Sequence, residues 1–307
     1  MDIITHWQGI DSAWRGASAA MGNFDGVHRG HQAVIDHARR PDQPLGIVTF
    51  EPHPRAHFAP DSPAFRLMNA QARRNRLRRL GVERLFELPF AQIAGLSAEA
   101  FAQEVLADGL GLAHVVVGAD FCFGKGRQGN AAMLREFGAA MGFDVTIVPL
   151  IGGENGAISS TAIRTALSEG RVRDAADMLG HRHRIDGIVL HGAKRGRALG
   201  YPTANMALDG LHLPRFGVYA VKVEVMAGPH AGCHDGVASL GVRPMFGENT
   251  PNLEVHLLDF KGDLYDMPLS VALVDFLRGE EKFDSVEALI EQMDADSARA
   301  RAILKDA

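Results

Sequence analysis

A chain of 307 residues with 46% apolar and 22% charged residues has the material for two buried cores and argues against a disordered protein. Its formal net charge of −5 argues against non-specific nucleic-acid binding, which needs an excess of Lys and Arg, so any phosphate chemistry must be local. Two cysteines, Cys122 and Cys233, lie far apart without a CxxC partner, which supports neither a disulfide framework nor a thiolate metal site and fits a reducing compartment. The opening stretch lacks a basic segment followed by an apolar one, and no apolar run approaches ~18 residues, so a cytoplasmic protein with no membrane partner is expected.

In chain order, the first part alternates strand-like and helical runs. Strands are expected over 17–24, 45–50, 84–88, 113–118 and 145–150, with helices over 30–40, 66–80, 98–108 and 131–141 between them. Such interleaving implies βαβ crossovers and a parallel sheet, that is, a Rossmann-like α/β domain. Two short helices follow, Thr161 to Ser168 and Arg173 to Leu179, each ended by a glycine. After Gly180 the pattern changes: runs at 185–191, 217–226, 236–240, 253–260 and 269–276 are strand-like with no helices between them, which reads as a small antiparallel barrel or sandwich. Residues 284–304 are helical by propensity and should pack on it. The expected domains are 1–182 and 183–307.

Two basic segments stand out. Arg66 to Arg79, with Arg73, Arg74, Arg76 and Arg78 between them, reads as a solvated or salt-bridged helix face. Gly124-Lys125-Gly126-Arg127-Gln128-Gly129 matches GxGxxG, but the preceding strand ends at Gly118 and Asp144 precedes the next strand, so a dinucleotide site does not fit and a flexible loop is expected.

The strongest chemical signal is Gly22-Asn23-Phe24-Asp25-Gly26-Val27-His28-Arg29-Gly30-His31, where a strand ends and a helix begins. Helix N-termini present free N–H groups and a positive dipole end to phosphate. Gly30 lets the backbone come close while His28 and His31 donate to the phosphates. Transfer of an adenylyl group needs positioning and charge stabilisation rather than a protein nucleophile, and two imidazoles suit that task.

This segment resembles the HxGH nucleotidylyltransferases, in the form of their flavin branch. Ile158-Ser159-Ser160-Thr161-Ala162-Ile163-Arg164 resembles that branch's ISSTxIR phosphate loop, in which Ser159 to Thr161 cap a helix and Arg164 offers a guanidinium to the leaving pyrophosphate. Phe50-Glu51-Pro52-His53-Pro54 and Gly118-Ala119-Asp120-Phe121 also look like this branch, placing His53 and Asp120 at strand ends; Cys122 stands where the family has a basic residue. The resemblance implies nucleotide or flavin contacts at Gly22, Asn23, Phe24, Asp25, Gly30, His53, Asp120, Ser159, Ser160 and Thr161, with His28, His31 and Arg164 catalytic.

A second basic, glycine-rich stretch runs from His191 to Asn205. Gly192 and Gly196 allow backbone approach to phosphate, Lys194, Arg195 and Arg197 supply charge, and Thr203 and Asn205 are hard oxygen ligands suited to Mg²⁺ held mainly by ATP. GRALGYPTAN, from Gly196 through Gly200 and Pro202 to Asn205, looks like the signature of riboflavin kinases, whose fold is a small β-barrel. Similarity to the bifunctional riboflavin kinase / FAD synthetase family thus covers nearly the whole chain. It implies that Glu254, in Leu253-Glu254-Val255-His256, is the base that accepts the proton of the riboflavin 5′-hydroxyl, with riboflavin, FMN and ATP as substrates. Ser239 and Met245 depart from the family's NxGxRPTF, which leaves an adenylylating enzyme with a weakened kinase as the alternative.

Overall fold

The structure, a computed structural model, describes residues 1–150, 152–153, 156–191, 200–208, 210–242 and 250–307. The chain divides into two units, residues 1–63 with 73–158 and residues 64–72 with 159–307.

The first unit contains β1 (Asp2–Ile4), β2 (Ser18–Met21), α1 (Arg29–His37), β3 (Leu45–Glu51), α2 (Pro54–Phe58), most of α3 (Ala70–Arg79), β4 (Arg84–Pro89), α4 (Phe90–Ile93) and α5 (Ala98–Ala100), which runs on as a π-helical segment, Phe101–Ala107. Next come β5 (His114–Gly118), the short strands β6 (Cys122–Phe123) and β7 (Gly129–Asn130), α6 (Ala131–Met141), β8 (Asp144–Val148), and the two-residue strands β9 (Gly152–Gly153) and β10 (Gly156–Ala157). Six parallel strands form one sheet in the order β1-β4-β3-β2-β5-β8. This is the Rossmann-like sheet that the alternating pattern implies. Strands β2, β3 and β4 step outward to one side, and β5 then pairs with the other side of β2, so the order reverses between β2 and β5. In open α/β sheets ligands bind in the crevice beyond the carboxyl ends of strands at such a switch.

Local chemistry sets the element ends. Helix α6 matches the expected span: the Asn130 side chain accepts from the Met133 N–H at its start, and Gly142 stops it at φ +86°. Helix α3 starts four residues later than its basic pattern suggests, because the Asn69 side chain caps it by accepting from the Ala72 N–H. Arg66, just upstream, is instead bridged in parallel to Leu211 in the second unit. The glycine-rich segment 124–129 is a built turn rather than a flexible loop. It joins paired β6 and β7, and a Cβ at Gly124 or Gly129 would fall within 3 Å of Ala98.

The second unit holds α7 (Ser160–Ser168), α8 (Val172–Leu179), six antiparallel strands and α9 (Val286–Leu304). The strands are β11 (Arg184–Ile188), β12 (Ala204–Ala207), β13 (Gly217–Val225), β14 (Gly232–Val242), β15 (Pro251–Leu257) and β16 (Pro268–Arg278), ordered β11-β16-β13-β14-β15-β12. The Leu190 N–H donates to the Asn205 carbonyl at 2.8 Å, bringing the two edges of this sheet together as a near-closed barrel. The period-two pattern of β13 holds: Tyr219, Val221, Val223 and Val225 are buried in the interior, and Lys222 and Glu224 face out. As expected, α9 packs on the barrel's outer face, its Ala300 and Leu304 against Val218, Ala220, Val274 and Leu277.

Helices α7 and α8 share the barrel's core. Ile163, Ala166, Leu167, Val172, Ala175 and Leu179 are buried in one cluster with Val221, Leu253 and Leu273. The break between units therefore falls before α7, whereas the change in sequence pattern falls after α8.

Candidate active sites

The turn between β2 and α1 lies at the carboxyl end of β2, beside the switch point. Its residues Phe24 and Val27 have φ of +51° and +44° and are buried, a conformation costly for residues with a Cβ and held here by the surrounding core. The Thr49 hydroxyl of β3 donates to the Asn23 carbonyl at 3.3 Å, pinning the turn from below. His28 is the N-cap of α1: its Nδ1 accepts from the His31 N–H at 3.3 Å. With Nδ1 an acceptor, neutral His28 carries its proton on Nε2, as a donor.

The His28 and His31 rings stack with centroids 3.6 Å apart and planes 15° from parallel, and Phe24 contacts the His31 ring at 5.2 Å. Gly30 is what admits this stack, since a Cβ there would come 3.1 Å from both Cε1 and Nδ1 of His28. Burial, and then the neighbouring His28, hold the His31 pKa well below 6.5, so His31 is uncharged at neutral pH. Its Nδ1 is buried with no hydrogen-bond partner among the described residues. A buried, unspent imidazole nitrogen beside a helix N-terminus is a ready contact for a phosphate oxygen.

Around this turn the structure gathers two of the other expected residues. His53, buried at the end of β3, caps α2 by accepting from the Arg55 N–H at 3.1 Å. Asp120 follows β5, exposed, with Oδ1 lying over Gly118. Strands β3 and β5 flank β2, so the three turns share one edge of the sheet. Sequence reasoning missed an aromatic cluster at that edge, formed by His57 and the exposed Phe58 of α2 with Phe90, which follows β4. Three rings on two short helices leave no periodic signal.

Ser159 to Arg164 belong to the second unit. The Ser159 hydroxyl caps α7, accepting from the Ala162 N–H at 3.2 Å, as its sequence implies. Ser160 and Thr161 form the first turn, with Thr161 exposed. Arg164 Nε donates to the Phe65 carbonyl at 2.6 Å, and the guanidinium sits 5.7 Å from the centroid of the Phe65 ring. The His212 ring Nε2 lies 3.0 Å from the Arg164 carbonyl oxygen.

On the barrel, register builds the second site. Asn205 on β12 pairs with Glu254 on β15, which pairs with Ser239 on β14, so these three side chains form a row on the sheet's outer face, opposite the core. Asn205 is 5% exposed and its Oδ1 accepts from Asn252 Nδ2 at 3.4 Å; Asn252 Oδ1 is buried without a partner among the described residues. Asn252 went unnoticed in the sequence because a single polar residue at the head of a strand reads as a turn. His256 Nδ1 donates to the Pro202 carbonyl at 2.9 Å, and the Tyr201 hydroxyl donates to Asp294 of α9, so both fix the segment that carries Gly200, Pro202 and Thr203. Gly192, Lys194, Arg195, Gly196 and Arg197 lie outside the described residues, as does Met245.

Among the described residues no group of three or more His, Cys, Asp or Glu could hold a metal ion, and no helix is long and apolar enough to cross a membrane. The FAD synthetase family model matches residues 10–162 and the riboflavin kinase family model residues 179–304. A bifunctional riboflavin kinase/FMN adenylyltransferase of Pseudomonas fluorescens is 41% identical over 309 residues, covering 99% of this chain and 98% of that one. Its Escherichia coli K12 counterpart is 37% identical over 291 residues, 93% and 92% of the two chains. A solved Streptococcus pneumoniae structure, described as a macrolide-efflux protein, matches at 34% identity and a TM-score of 0.83 over 98% of both chains. Fold, motifs and matches together define a two-domain transferase of flavin cofactor synthesis. The chain belongs to the family of bifunctional riboflavin kinase/FMN adenylyltransferases, with both the FAD synthetase and the riboflavin kinase domain present.

Proposed function

We propose that the two activities divide between the two sites described, with residues 1–182 supplying FMN adenylylation and residues 183–307 riboflavin phosphorylation. In the first, a phosphate oxygen of FMN attacks the α-phosphorus of ATP, the α–β bridging bond breaks, and FAD and pyrophosphate form. His28 and His31 stabilise the charge that develops, with the α1 N-terminus behind them, while Arg164 takes the leaving pyrophosphate. Gly22, Asn23, Phe24, Asp25, Gly30, His53, Asp120 and Ser159 to Thr161 line the nucleotide and flavin, and the ring face of Phe58 suits a planar isoalloxazine. The stacked His28–His31 pair, with a buried nitrogen left unspent, is the observation that carries this reading.

In the second, the riboflavin 5′-oxygen attacks the γ-phosphorus, its proton passes to Glu254, and ADP leaves. Thr203 and Asn205 offer hard oxygens, and the orphaned Asn252 Oδ1 beside Asn205 fits a site built around a cation. They would hold Mg²⁺ arriving with ATP, which when bound neutralises phosphate charge. Gly192, Lys194, Arg195, Gly196, Gly200 and Pro202 cradle the ATP phosphates. The negative net charge supports a protein with no nucleic-acid partner, working on small molecules, and its two unpaired cysteines fit the reducing cytoplasm.

Incubation with riboflavin as sole flavin, ATP and Mg²⁺ tests the division: FMN should appear first and FAD after it. Riboflavin left unconsumed while added FMN becomes FAD would instead establish an adenylylating enzyme whose barrel has lost its kinase, the outcome that Ser239 beside Glu254 allows.

A further inference from the structure

The basic run on α3 reads from sequence as a solvated or salt-bridged face; at Arg73 it is salt-bridged, and that side chain is fully buried, its guanidinium beneath the carboxyl ends of three strands. Nη2 contacts Glu51 Oε2 of β3 at 2.8 Å and Glu87 Oε1 of β4 at 2.6 Å, and Nη1 lies 3.4 Å from the Asn23 carbonyl oxygen in the turn after β2. Arg74 completes the group through Glu87. Burial works against the charged form of Glu87, but hydrogen bonds from Arg74 and Arg73 hold its pKa below the usual value, and ion pairs link the four side chains into one network.

A buried ion network of this kind is a poor source of net stability, because desolvation offsets most of the Coulomb gain. What it provides here is geometry. The Asn23 carbonyl is held by two donors, Arg73 and Thr49, and stands immediately before the strained Phe24 and five residues before His28. Glu51 stands two residues before His53. One guanidinium therefore ties the turn that presents His28 and His31 to the turn that presents His53. A lysine, a point charge without the planar fork, can keep the carboxylates but cannot also span to the carbonyl.

We propose that Arg73 is a positioning residue for FMN adenylylation, locking the β2 and β3 turns in register. This rests on the assignment of that reaction to the His28–His31 turn. Misplacing a reacting constellation by about 1 Å costs up to about 10²-fold in rate.

In the full chain, Arg73→Lys should lower kcat for FMN adenylylation by about tenfold or more, with KM for ATP and FMN within about twofold of wild type. Riboflavin phosphorylation, assayed on the same sample, is the internal reference for folded enzyme. Thr49→Val removes the second donor to Asn23 without disturbing any charge and should lower the same kcat by about threefold, again without moving KM. If Arg73→Lys fails to fold, Thr49→Val decides alone. A wild-type adenylylation kcat in the folded variants, whatever their melting temperatures, overturns the positioning role. His28→Ala that still makes FAD at the wild-type rate overturns the site assignment itself, and the role of Arg73 with it.

Discussion

The two sites of this enzyme are built by opposite means. In the α/β unit the proposed chemistry sits on a turn, and the fold supplies a capped helix, two left-handed residues and stacked rings to hold that turn in one shape. In the barrel the proposed chemistry sits on strands, and ladder register aligns Asn205, Glu254 and Ser239. A turn concentrates dependence on a few backbone positions; a ladder spreads it over the sheet and leaves the individual side chain to carry the chemistry.

That contrast is open to attack at its strongest point first. Glu254→Gln keeps the size and the strand but removes the proposed base, so riboflavin phosphorylation should fall by about 10²–10⁴-fold while FMN adenylylation persists, as steady-state assays of each reaction on one preparation will read. His28→Ala should do the reverse, with a loss of about 10²–10³-fold in FAD formation and normal FMN formation. Equal loss of both activities in either variant contradicts the division. Gly30→Ala separates stability from function within the turn. The alanine favours helix α1 by ~0.5–1 kcal/mol, yet its Cβ meets the His28 ring, so adenylylation should drop by about tenfold with an unchanged or higher melting temperature.

The smallest effect concerns pH. His114, at the amino end of β5 and away from the histidine turn, lies between Ser18 Oγ and Thr146 Oγ1, each 2.8 Å from a ring nitrogen, and burial lowers its pKa from 6.5 to about 4. His183, in the other unit, is lowered by burial and by His181 and His212 to about 3. Each is protonated in the unfolded chain below about pH 6.5 while the folded form stays neutral. Acid therefore favours unfolding, and the stability present above that pH is progressively lost as pH falls towards the folded values. Thermal melts between about pH 6.5 and 4 should show a shallower decline for His114→Gln than for wild type, with adenylylation at neutral pH intact. A decline of unchanged slope would remove His114 from the account.

Much of this was legible in the residues. The histidine turn, the helix cap at Ser159 and the outward Lys222 and Glu224 of β13 each follow from spacing and local propensity. Strand β12 was not legible, because Pro202 and Thr203 announce a turn and only pairing with β15 makes Ala204–Ala207 a strand. Arg73 was hidden by its charged neighbours, though one clue was present: Leu77 lies four residues on, along the same helix face, and is also fully buried. The place of α7 was hidden as well, since an apolar helix face does not name the sheet it will cover.

That placement bears on how such enzymes are cut and recombined. The ISSTAIR helix carries a motif of the adenylylating half, but its apolar side is interior to the other half. A fragment ending near residue 180 keeps the motif and discards the surface on which it is folded. An exchange of halves between relatives has its cleanest seam at residues 158 and 159, and residues 64–72 have to travel with the later partner.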